Sequence, residues 1–326
     1  MNNLEEQNYG MKTLVHDEGK PACMIGTWAW GTGMNGSKMV FGRNYSEEQL
    51  KETFNKAYEA GFHIWDTAEV YGMGNSEKLL GKCIAGKEDV IISTKYLPGK
   101  KYKHGAIRES LAASVSRLGV SYIDLYWLHQ PFCLKENITE AIELLQEGKI
   151  KNLGVSNCTL EEIKEADKLL KKSGFRLAAV QNHFSLLSMG DEQMKVIKWC
   201  QENHIIYFGY MILEQGALSG HYDSKHPFPR FSMRGFSFNR NKFKKIQKLL
   251  DYERNLATKY NVDSSQIPIA WAVSKQIVPI VGITKEKHAA ELAKGIKIVL
   301  TSDEITNLET LAEESKVICK GNWEKN

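Results

Sequence analysis

Short apolar runs rich in β-type residues alternate with longer amphipathic runs along the whole chain. Eight of the short runs read as strands, at 24–27, 64–66, 90–95, 123–129, 150–155, 178–181, 205–210 and 279–282. Several are almost continuously apolar rather than alternating. That pattern suits parallel strands covered outside by helices and filled inside by packed side chains. Between them, Ser46 with Gln49, Thr159 with Glu162 and Thr301 with Glu304 carry the hydroxyl-then-amide or hydroxyl-then-carboxylate spacing that opens a helix. Gly61, Gly119, Gly148 and Gly174 fall where helices end, as residues that adopt a left-handed conformation at no steric cost.

The spacing sharpens this into an architecture. From Asp66 to Lys95 is 29 residues and from Lys95 to His129 is 34, each the length of one strand–helix–strand unit. The step from Tyr210 to Gly282 is 72 residues and must hold an insertion, read as a long loop near 215–240 and a helix near 241–260. A doubly wound sheet would show a glycine-rich turn leading directly into a helix after its first strand. The segment GTWAWGTGM has the glycines without such a helix. The chain is therefore expected to be α/β, one (β/α)8 barrel domain over 1–326, with an extra helix before the last strand and another at the C-terminus.

Composition narrows the setting. Apolar residues make up 42% and charged residues 25% of 326 residues, as in globular proteins with a large core. A net charge of +4 with both signs interspersed gives no reason to expect a nucleic-acid partner. No apolar stretch approaches the roughly 18 residues that cross a bilayer, and the segment MNNLEEQNYGMKTL is too polar for a secretory signal. Six cysteines lie at 23, 83, 133, 158, 200 and 319 with no C-x-x-C pair, so no metal site is expected. They read as reduced thiols, and the expected compartment is the cytoplasm.

The chemistry lies at the strand ends. IWDTAEVYG, VIISTKY and YIDLYWLHQP place Asp66, Tyr71, Lys95 and His129 after apolar runs. In a barrel of neighbouring parallel strands, all four groups meet at one mouth. Each has an ordinary explanation alone: a cap for Asp66, surface packing for Tyr71, a solvent-facing strand end for Lys95, a buried turn for His129. Together they form a proton-transfer set. Tyrosine titrates near 10, a lysine cation eases formation of its phenolate, and an aspartate holds that lysine. A histidine orients a carbonyl whose oxygen gains charge when hydride reaches its carbon.

The motifs DTAEVYGMGNSE at 66–77, STK at 93–95 and LHQP at 128–131 resemble the aldo-keto reductase family, and the likeness extends from about Met24 to Leu292. The resemblance implies that Tyr71 is the general acid, Lys95 lowers its pKa, Asp66 pairs with Lys95 and His129 orients the substrate carbonyl. It further implies a nicotinamide cofactor, NADP(H) preferred and NAD(H) possible. Ser156, Asn157 and Gln181 then hold the carboxamide, Tyr210 stacks on the ring, and Gly26, Thr27, Trp28 and Asp66 face the ribose side. Relatives commonly have Ser-Pro after that tyrosine; here Met211-Ile212 stand there, so backbone amides at Leu213, Gly216 and Leu218 are expected to serve the pyrophosphate. Gly282, Thr284, Lys285 and His288 match the adenosine end, where the start of a helix favours phosphate.

Lys225, Arg230, Arg234 and Arg240, against Asp223 alone, make the following loop a cationic lid over the dinucleotide. Trp28, Trp30 and Tyr96 are expected to form an aromatic substrate wall with His129, for a small-molecule carbonyl substrate. By alternation Trp28 rather than Trp30 points inward. A regulatory subunit similar to potassium-channel β subunits, with slow turnover, is the alternative. The oligomeric state is not legible.

Overall fold

Eight parallel strands close into one barrel in chain order. They are β1 (Met24–Gly26), β2 (Ile64–Asp66), β3 (Ile91–Tyr96), β4 (Ile123–Leu128), β5 (Ile150–Ser156), β6 (Ala179–His183), β7 (Ile206–Tyr210) and β8 (Val278–Gly282). This is a computed structural model that describes residues 23–33, 36–229 and 232–320. Arg230 and the polar N-terminal segment lie outside the described residues. After β1 come α1 (Ser37–Phe41) and α2 (Glu47–Glu59). One helix follows each of β2 to β6: α3 (Asn75–Ile84), α4 (Ala106–Leu118), α5 (Leu134–Gln146), α6 (Leu160–Lys172) and α7 (Asp191–Glu202). The insertion after β7 holds α8 (Met233–Ser237), α9 (Arg240–Lys245), α10 (Gln247–Tyr260) and α11 (Gln266–Ser274), and β8 leads to α12 (Glu286–Gly295) and α13 (Ser302–Glu314).

Thr159 and Thr301 form complete reciprocal capping boxes with Glu162 and Glu304. Ser46 forms only half of one. Its hydroxyl accepts from the Gln49 amide, but the Gln49 side chain donates 2.8 Å away to the Thr284 carbonyl, tying α2 to the end of β8. The four glycines expected at helix ends all have left-handed φ, from 68° to 90°.

The differences from expectation lie mostly in the insertion. The helix expected over 241–260 is two helices, broken at Ile246, whose ψ of 7° is not helical; no proline or glycine marks the break. The helix α11 escaped the pattern because QIPIAWAVS is apolar all round and buried on every side, leaving no face for periodicity to reveal. At the other end of the chain, Thr27 leaves the first strand and begins a 3-10 turn over Trp28–Trp30.

Two cores explain why side-chain direction matters here. A small cluster including Met24, Ile64, Leu125, Trp127, Ala179, Ile206 and Phe208 fills the barrel interior. The larger one, with Phe54, Trp65, Tyr126 and Leu153 among its members, lies between barrel and helices. Along the strands that contribute to both, residues alternate between the two. Gly154 is the exception that proves close packing, because a Cβ there would overlap the Trp127 ring. The interior is thus plugged below the mouth, as barrels of this size require.

Candidate active site at the barrel mouth

Register sets the polar floor of the mouth. Asp66 on β2 pairs with Ser93 on β3 and with Gly26 on β1. Ser93 and Lys95 point inward, with Ile92, Thr94 and Tyr96 on the opposite face. Lys95 is fully buried; it donates to the Asp66 carboxylate and, at 2.8 Å, to the Thr67 carbonyl. The other Asp66 oxygen accepts from Ser93 Oγ at 2.8 Å and from Gln181 Nε2 at 3.4 Å, and Trp127 Nε1 donates to Ser93 Oγ at 2.6 Å. Such a pair is not in itself a source of stability, since desolvation offsets attraction, but removing one partner leaves a buried charge. Burial pushes Lys95 below its ordinary value, and the Asp66 carboxylate opposes that shift.

Tyr71 stands on a turn that the first βα segment grips. A side chain at Gly72, whose φ is +56°, would run into the backbone of Gly31 and Thr32. Ser76 Oγ donates to the Thr27 carbonyl at 2.8 Å, locking the same two segments. Trp28 stacks on the Tyr71 ring at 6.0 Å, His129 meets it edge-on at 6.1 Å, and Lys95 Nζ lies 5.1 Å from its centre. The structure therefore brings all four expected groups together. Tyr71 is held well above the ordinary tyrosine value, first by burial and then by Asp66 and Tyr210. The phenol keeps its proton throughout the neutral range.

His129 is fixed through its backbone. Its amide donates to the Tyr96 carbonyl at 2.8 Å, and its carbonyl accepts from Asn157 Nδ2 at 2.9 Å. Burial, helped by the nearby Lys95 charge, pulls the imidazole down to about 3. It is neutral at physiological pH, and its Nδ1 is buried without a hydrogen-bond partner among the described residues.

Of the expected aromatic wall, Trp28 remains. Trp30 is 2% exposed, packs on Trp65 and donates from Nε1 to the Ile283 carbonyl at 2.8 Å, so it belongs to the outer core. Tyr96 is the last residue of β3 and points away from the mouth into the same core. The alternation that turns Lys95 inward turns Tyr96 outward. Thr27 is likewise fully buried, with its hydroxyl donating to the Asp66 carbonyl at 3.0 Å, so its side chain is committed to the scaffold.

Around the rim, Ser156 Oγ donates to the Gln181 carbonyl at 2.7 Å, and Asn157, at φ +59°, accepts from the Tyr210 hydroxyl at 2.6 Å. The turn after β7 is tight, with positive φ at Met211, Glu214, Gln215 and Gly216. The expected amides are only partly available. Those of Gly216 and Leu218 both donate to the Leu213 carbonyl, at 2.7 and 3.1 Å, and Leu218 is fully buried. Beyond β8, Lys285 is the N-cap of α12 and places no side-chain acceptor on its amides. The Thr284 amide lies 3.4 Å from His288 Nδ1, and burial lowers His288 so that it stays neutral.

One group had gone unnoticed. His183 Nε2 lies 2.7 Å from Glu214 Oε1, Ser185 donates to the same oxygen, and all three residues are buried. The His183 ring also stacks on Tyr210 at 5.6 Å, its register partner. The signal in the sequence was an acid in an otherwise glycine- and leucine-rich turn, opposite a strand-end histidine.

A plugged barrel with a lysine–aspartate pair, a protonated tyrosine and a neutral histidine at its mouth is an arrangement suited to moving a proton at a polarised oxygen. The chain belongs to the aldo/keto reductase family, whose family model matches residues 23–313. It is 31% identical over 311 residues to the chloroplastic pyridoxal reductase of Arabidopsis thaliana, covering 89% of this chain and 83% of that one. It is 26% identical over 316 residues to the NADH-specific methylglyoxal reductase of Escherichia coli, with 89% and 94% covered. Among solved structures, an aldo/keto reductase from Klebsiella pneumoniae in complex with NADP and acetate matches with a TM-score of 0.67 at 25% identity, over 90% of this chain and 91% of that one. As a member of that family, the chain is an oxidoreductase of carbonyl compounds. Among the described residues no helix is long and apolar enough to cross a membrane.

Proposed function

We propose that this chain reduces aldehydes or ketones to alcohols with NADPH, with Tyr71 as the proton donor. The observation that supports it most is the stack of Trp28 on Tyr71 above the buried Lys95–Asp66 pair, with neutral His129 edge-on beside it. Bound nicotinamide supplies the hydride. Tyr71, protonated through neutral pH, gives its hydrogen to the carbonyl oxygen as negative charge develops there. Lys95 beneath the ring makes the resulting phenolate less costly, and Asp66, Ser93 and Trp127 hold that lysine in place. His129 donates a hydrogen bond to the same oxygen without becoming charged.

The chemistry of the donor set fits the cofactor. The Tyr210 ring offers a stacking face, Gln181 an amide with both donor and acceptor, and α12 amides without a side-chain cap for a phosphate. Lys285 and Thr284 at that terminus favour the 2′-phosphate of NADP(H); Glu286 in the first turn tempers this, and NAD(H) remains a usable cofactor. The test is steady-state oxidation of NADPH and NADH with a panel of short and aromatic aldehydes. Sustained turnover with a lower KM for NADPH is expected. Tight cofactor binding without turnover would instead mark a regulatory subunit.

A further inference from the structure

The turn that carries Tyr71 holds one acid, Glu69, to which none of the roles above falls. It is half-buried, and its amide donates to the Lys95 carbonyl at 3.3 Å while one carboxylate oxygen accepts from the Leu97 amide at 2.6 Å. In a parallel ladder a residue donates to one side of its partner and accepts from the other side, both through its main chain. Here the Glu69 side chain takes the place of the carbonyl, and the pairing of β2 with β3 continues three residues beyond Asp66. The second oxygen accepts from Ser110 Oγ on α4, which lies 3.1 Å from the hydroxyl of the buried Tyr126 on β4. Burial raises the Glu69 carboxyl above its usual range, and these two donors oppose that shift.

The peptide bond between Tyr96 and Leu97 is the decisive unit. Its N–H is the one that Glu69 holds, and its carbonyl accepts from the His129 amide at 2.8 Å. A charge-assisted bond to that N–H polarises the peptide and strengthens the bond at its other end. Glu69 thus stands two residues before Tyr71 and one peptide group away from His129, and the rings of Tyr71 and His129 meet edge-on at 6.1 Å. We propose that Glu69 is a positioning residue that sets the separation of Tyr71 and His129, and with it the width of the pocket that receives the carbonyl oxygen. The inference rests on the proposed reductase activity and gives Glu69 a part in it only through those two groups.

The test compares wild type, Glu69→Leu and Glu69→Gln with Thr301→Ala, which removes the α13 cap far from the mouth and so destabilises without touching the turn. Single-turnover reduction of one aldehyde and the Kd of NADPH are measured for each, with crystal structures of wild type and Glu69→Leu. In Glu69→Leu the Tyr71–His129 ring separation should change by about 1 Å and the rate should fall about 100-fold, with the NADPH Kd within about twofold. Glu69→Gln keeps an acceptor for the Leu97 amide and should recover to within about fivefold of wild type. A rate loss no larger than that of Thr301→Ala overturns the proposal. So does an equal loss in Glu69→Gln and Glu69→Leu, or an NADPH Kd that weakens in step with the rate. An unchanged ring separation overturns it whatever the rate does. If the wild type reduces no aldehyde, the reductase reading fails and the ring separation alone decides: a shift in Glu69→Leu upholds the positioning role. Should Glu69→Leu not fold, Glu69→Asp, one methylene too short to span the same gap, carries the same expectations.

Discussion

The two halves of the mouth are built on different principles. On the β2–β4 side, Asp66, Ser93, Lys95 and Trp127 satisfy one another within regular strands, and each residue's direction follows from alternation. On the β7 side, the rim is a turn with three non-glycine residues at positive φ, clamped by the Glu214 carboxylate to His183 and Ser185. Strained backbone of this kind persists where surrounding contacts over-determine it. In the proposed reading, the first half would fix where the proton is, and the second where cofactor and substrate lie against it.

Breaking the first half should cost most. Lys95→Met leaves the Asp66 carboxylate buried without its cation, so a loss of about 3–5 kcal/mol in stability is expected from urea unfolding. Carbonyl reduction should fall at least about 100-fold in whatever folds. A variant that is both stable and active would show that the floor is dispensable. Breaking the second half should instead separate binding from chemistry. Glu214→Gln, which keeps shape but removes the charge from the clamp, is expected to weaken NADPH about tenfold by fluorescence titration while changing kcat much less. A kcat loss without a change in Kd would place Glu214 on the chemical side.

The two halves also differ in their response to pH. His129 titrates at about 3 in the folded chain rather than near 6.5. The folded state therefore binds fewer protons than the unfolded one between these values, and its contribution to stability is lost as pH falls through that window. Tyr71 is raised, so neither group titrates between pH 6.5 and 8. Single-turnover reduction should vary less than about twofold across that range. A bell centred near 7 would mean that one of the two is exposed in the working enzyme.

The smallest effect tests a residue outside both halves. Glu253 on α10 is fully buried, both its oxygens lack hydrogen-bond partners among the described residues, and burial raises its pKa well above the usual carboxylate range. The folded state binds the extra proton, so stability should fall as pH rises from about 4.3 through the raised value. Glu253→Gln should remove that slope and stabilise by about 1 kcal/mol at pH 8. An unchanged slope would show that Glu253 is paired.

The same contrast explains what the sequence could tell. The barrel, its eight strands and the meeting of Asp66, Tyr71, Lys95 and His129 were legible because period-2 direction and a regular strand–helix spacing carry them. That regularity also misled where it ended. Trp28 rather than Trp30 does face the mouth, as expected, but the 3-10 turn carries Trp30 out of the substrate wall altogether, and Tyr96 became part of β3 only when that strand ran one residue further. In the insertion, side chains meet across loops without period. Nothing in the spacing pairs His183 with Glu214 or divides the helix at Ile246. The amides of Gly216 and Leu218 were engaged by a turn whose φ values no pattern of residue types announced.

The central claim is that Tyr71 supplies the proton. Tyr71→Phe keeps the ring that Trp28 stacks on and removes only the hydroxyl. NADPH affinity and single-turnover reduction of one aldehyde, measured side by side in this variant, should show a Kd within about threefold of wild type and a rate lower by at least about 100-fold. A rate equal to wild type at unchanged Kd would contradict the claim and move the donor elsewhere in the mouth.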